Sequence, residues 1–132
     1  MTEEATNEVL ARHVSPDGQL TLLVVRAIEP PRPETIIVGF EESPWHVHVD
    51  ALNPAGRSWE QVGHDLAADI VSDRMLIVIF RGGDYPDIRL ADSLEDEVDY
   101  LPNGERPELR FWSGRRTSFD ELIDGTVTYT PL

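Results

Sequence analysis

The chain has 132 residues, no cysteine, and 25 acidic residues against 11 basic ones, for a formal charge of −14. That length allows one domain, 1–132, with a core of its own, and the lack of cysteine excludes thiol nucleophiles, disulfides and thiolate metal sites. Every basic residue is an arginine, which also excludes Schiff-base chemistry, pyridoxal-phosphate attachment and a Walker lysine. In chain order, residues 1–9 lack the basic start and apolar run of a secretory leader, so none is expected. Residues 8–14 and 19–29 flank Ser15-Pro16-Asp17-Gly18, whose proline pre-sets a turn and whose glycine accepts a positive φ, so they predict a hairpin. Three prolines in residues 29–34 remove three backbone donors and predict a surface loop. Strands are expected at 35–41 and 45–50, then a turn at Asn53-Pro54-Ala55-Gly56.

Ser58 and Gln61 have capping-box spacing, and Trp59, Val62, Leu66 and Ile70 fall on one helical stripe, predicting an amphipathic helix over 59–73. Residues 75–81 are almost wholly apolar and predict a central strand, turned by Gly82-Gly83-Asp84 into a strand at 87–91. Residues 97–101 and 108–113 predict a further pair around the turn at 102–107, and 118–125 a single helical turn. Residues 126–130 predict an edge strand. The sum is an α+β domain: a single, mostly antiparallel sheet of six to eight strands packed on one main helix.

His46-x-His48-x-Asp50 is the stretch closest to a chemical motif. On a strand, these three side chains share one face and Trp45, Val47 and Val49 the other. Two imidazoles and a carboxylate are ligands for zinc or non-haem iron. The string resembles the first three positions of the H-x-H-x-D-H motif of metallo-β-lactamase-like hydrolases, with Ala51 at the fourth. It is also similar to the start of a cupin motif, through Gly39, His46, His48 and Gly56, but Leu52 or Asn53 stands where the cupin glutamate belongs. A strand with one apolar and one polar face explains the same residues without a metal, and no cofactor is expected. His64 and Asp65 diverge by about 100° on a helix and form no dyad. No G-x-S-x-G string supplies an activated serine.

The charge repels nucleic acid and acidic membranes, which leaves a basic protein as the compatible macromolecular partner. Asp65, Asp69 and Asp73 recur down one helix flank, and residues 92–99 hold a second acidic run, so Asp65, Asp69, Asp96 and Glu97 are the expected partner-binding residues. In size and charge alone the chain resembles bacterial immunity proteins, which neutralise basic nuclease toxins. That resemblance implies a non-enzymatic, cytoplasmic protein-interaction domain. The alternative is a small metal- or ligand-binding domain, conceivably catalytic, built on His46, His48 and Asp50.

Overall fold

A computed structural model describes residues 6–28, 34–52, 56–99 and 106–132. The fold is α+β with antiparallel pairing, but the strands divide into two sheets where the sequence predicts one. The first contains β1 (Thr6–Val14), β2 (Thr21–Ile28), β3 (Thr35–Phe40) and β4 (His46–His48), in that order. After a 3-10 turn at Val49–Leu52 comes α1 (Trp59–Val71). The second sheet contains β5 (Ile77–Phe80), β6 (Asp87–Leu90), β7 (Glu108–Arg110) and β8 (Arg116–Thr117), in the order β6-β5-β7-β8. Two short helices, α2 (Leu94–Asp99) and α3 (Phe119–Ile123), complete it. Among the described residues no helix is long and apolar enough to cross a membrane.

The division follows from β5. All four of its residues are buried, so both faces need cover, and β6 and β7 occupy both its edges. No edge of β5 is left for the first sheet. Ile77 and Ile79, with Ile88 and Leu90 of β6, join Leu22, Val24, Val38 and Phe40 of the first sheet and Leu66 and Ile70 of α1 in one core. Leu76, Val78, Phe80, Leu109 and Phe111 form a second core, closed by Leu122 of α3 and flanked by Leu94 and Tyr129.

Several local expectations change. Residues 97–99 continue α2 and do not begin a strand, because Ser93 accepts the Asp96 amide at the helix start. β7 instead pairs with β5 and β8. Residues 126–130 are not a strand, although the Thr130 amide donates to the Arg74 carbonyl at 2.7 Å. The expected loop at 29–33 and most of the turns at 53–56 and 102–107 lie outside the described residues.

The Ser15–Gly18 turn forms as expected. Gly18 has φ 73°, Asp17 Oδ1 accepts from the Ser15 hydroxyl at 2.6 Å, and the Ser15 oxygen accepts the Leu20 amide at 3.0 Å. α1 forms as half a capping box: Ser58 accepts the Gln61 amide at 3.1 Å, while the Gln61 side chain donates forward to Asp65 at 2.9 Å. The helix ends two residues early, with Asp73 in the left-handed region (φ 63°) accepting the Ser113 amide. Trp59, expected on the apolar stripe, is 39% exposed.

At Gly63, α1 packs closely on the first sheet. A methyl added there would lie 2.8 Å from Ile36 Cγ2 and 3.3 Å from Val24 Cγ1. Gly63→Ala should gain up to about 1 kcal/mol in helix propensity. Overpacking against two stiff β-branched side chains costs about 1–3 kcal/mol and should win. A net loss of about 1 kcal/mol is expected in urea denaturation, with the midpoint lowered and the slope unchanged.

Candidate functional site

The carboxylates that the sequence marks as a docking surface end in different situations. On α1, Asp65 pairs with Arg57 and accepts from Gln61, and Asp69 pairs with Arg74 at 3.2 Å. Two of the three carboxylates on the α1 flank are therefore offset by arginines of the chain itself, and the third, Asp73, accepts the Ser113 amide. Arg26 is shared by three carboxylates, those of Glu8, Glu34 and Glu60, and offsets one of their three charges. Glu97 is 9% exposed, and its Oε1 accepts the Asp92 amide at 2.7 Å, so it tethers the chain entering α2. Asp96 is exposed.

α2 lies beside α3, and the two helices with their flanking residues carry Asp92, Glu95, Asp96, Asp120, Glu121 and Asp124; this acidic helix pair is the α2–α3 ridge. Among the described residues none of these six forms an ion pair with an arginine. The local field is registered by Tyr129: burial, with Glu97, Asp92 and Asp96 nearby, pushes its phenol up to about 12. Its hydroxyl donates to the Asp92 carbonyl.

Beside the ridge is a groove of about 320 Å³ lined by Trp45, Leu90 and Leu132, with Asp92, Asp96 and Glu97 along its acidic side. Arg89, paired with Asp87, also lines it. Three separate segments meet here: the residue before β4, the end of β6 running into α2, and residue 132, whose amide donates to the Ala91 carbonyl at 3.0 Å. An apolar wall beside a carboxylate rim suits the aliphatic stem and charged head of an arginine or lysine. A larger cleft of about 430 Å³ includes Glu42, Arg81, Glu108 and Arg116. Its charges are satisfied internally: Glu108 sits between Arg81 and Arg116 at 2.9 and 2.7 Å, and Glu42 accepts the Thr21 amide.

The histidine stretch is only partly a strand. His46 and His48 share the face of β4 that points away from α1, but Asp50 lies in the 3-10 turn and accepts from the Thr35 hydroxyl at 3.0 Å. Among the described residues no three of His, Asp and Glu gather as a metal-binding group. Trp45, Leu90, Leu132 and Asp92 escape a sequence reading as one site, since nothing local brings residues 45, 90 and 132 together. The acidic run at 92–99 is the only part of the groove with a signal of its own. Compared with protein-family models, curated proteins and solved structures, the chain matches none.

Proposed function

We propose that the protein is a non-enzymatic interaction domain that docks a basic protein partner through the α2–α3 ridge and its groove. One observation carries this reading: the ridge carboxylates have no arginine counterpart among the described residues, whereas Asp65 and Asp69 have one. Exposed carboxylates without a counter-charge in the chain are available to a partner's cations. Trp45 and Leu132 then offer apolar surface to the stem of an inserted arginine or lysine. The net charge of −14 steers such a partner from a distance. The cysteine-free composition is compatible with a reducing compartment, and the cytoplasm is the location we propose.

The test is affinity capture from an extract of the source organism, followed by association kinetics with the captured protein at low and high salt. Glu95→Gln, Asp96→Asn and Asp120→Asn combined should slow association about tenfold and flatten its salt dependence, because exposed charges act within a screening length of about 8 Å. Asp65→Asn with Asp69→Asn should change association little, since those charges are already compensated within the chain. A captured partner whose association ignores both salt and the ridge substitutions would reject the proposal.

A further inference from the structure

The two imidazoles of β4 stand side by side on one exposed face, independent of the acidic ridge. Their ring centres are 5.0 Å apart and the planes are inclined by 66°. A zinc or copper ion held at about 2.0–2.1 Å from an imidazole nitrogen lies about 3.2 Å from that ring's centre. Two rings sharing the ion at roughly 90–109° would then have centres about 4.5–5.2 Å apart. The observed separation falls inside that window.

The surroundings favour the same role. His46 Nδ1 lies 3.0 Å from the Pro44 carbonyl oxygen, which can only accept, so in the neutral ring Nδ1 carries the proton and Nε2 is the ligating position. A ring N–H donated to a backbone carbonyl is the usual support behind a metal-ligating histidine. His48 makes no hydrogen bond among the described residues, and both rings are exposed. In register, His46 faces Gly39 and His48 faces Ile37 of β3. A Cβ at Gly39 would come within 2.9 Å of the His46 Cβ and of the Trp45 carbonyl oxygen, so glycine there permits the close approach of the histidine strand.

We infer that His46 and His48 form a two-imidazole chelate for a divalent transition-metal ion, with the remaining coordination positions open to water or to a further ligand. Such a site is exchangeable, and it prefers Cu²⁺ over Zn²⁺ and Ni²⁺ by the general order of divalent affinities. Asp50, turned to Thr35, takes no part.

The test uses untagged full-length protein titrated calorimetrically with CuCl₂, NiCl₂ and ZnCl₂ in a non-coordinating buffer. One ion per chain is expected, tightest for Cu²⁺. His46→Gln and His48→Gln should each weaken Cu²⁺ binding about 100-fold, because the second imidazole acts at high effective concentration once the first is bound. Changing His13 and His64 together to Gln should leave the affinity unaltered. In NMR spectra of the wild type, substoichiometric Cu²⁺ should first broaden the rings of His46 and His48 and the amides of Ile37 and Gly39. The inference is overturned by unchanged affinity in either single variant, or by broadening centred on the α2–α3 carboxylates. Should a variant fail to fold, the wild-type broadening map decides alone.

Discussion

Leu66→Ala is expected to lower the unfolding free energy by about 2–5 kcal/mol, the range for truncating a buried leucine in a packed core. Leu66 is 8% exposed and belongs to the core shared by α1, the first sheet and the inner face of the second. The cost includes the lost transfer energy of the side chain and the cavity left behind, which a close-packed core fills only in part. Trp59→Ala, two turns earlier on the same stripe but 39% exposed at the first position of α1, should cost less although it removes more atoms. Urea denaturation of both variants checks the orientation of α1. A loss below about 0.5 kcal/mol for Leu66→Ala, the range of surface changes, would mean that α1 presents a different face to the sheets.

Asp17→Ala should cost about 3 kcal/mol, at the lower end of what breaking a buried ion pair costs. Arg110 of β7 is 2% exposed, and its three donor groups reach the Asp17 carboxylate at 2.7 Å, the Phe111 carbonyl at 3.1 Å and the Trp112 carbonyl at 3.0 Å. Asp17 lies in the β1–β2 turn, so the pair joins the hairpin of the first sheet to β7 of the second. Removing the carboxylate leaves a buried guanidinium without its counter-charge. The Asp17 side chain is 33% exposed, so water softens that penalty and places the figure low in the range. The hydrogen bond from Arg110, and next that from Ser15, hold the Asp17 carboxyl well below the usual carboxylate range. A carboxyl with a depressed folded pKa binds fewer protons in the native state. Its stabilisation is therefore complete above the unfolded value of about 3.9 and is lost as pH falls toward the folded one. Denaturation of wild type and Asp17→Asn at neutral pH and at several points below about pH 4 should show a steeper acid decline in the wild type. Parallel declines would show that Asp17 contributes nothing to acid sensitivity.

Individual elements are legible in the chain wherever one residue or a short period sets the conformation. Gly18 and Ser15 specify the first hairpin, Ser58 starts α1, and the 3.6-residue spacing of Val62, Leu66 and Ile70 identifies its buried face. The run at 75–80 announces a strand buried on both sides, as β5 is. Reading Trp45 through Asp50 as one strand places Asp50 beside the histidines. The chain leaves the extended conformation at Val49, and a two-residue period has no meaning beyond that point. For the acidic run at 92–99, charge is visible in the sequence but burial is not. Glu97 turns inward to hold the Asp92 amide while Asp96, one residue earlier, faces solvent.

The amino-acid sequence alone therefore determined the antiparallel α+β character, the position of α1, and a large negative charge without thiols or lysines. These depend on local periodicity, capping and composition, all of which act within a few residues. Only the tertiary structure decided that the strands form two sheets, that Arg57 and Arg74 pair with Asp65 and Asp69, and that Trp45, Leu90 and Leu132 wall a groove beside Asp96. Sheet partition depends on which edges are already occupied, and a carboxylate's availability depends on which arginine reaches it in space. Both are set by contacts between residues far apart in the chain, for which local spacing carries no signal.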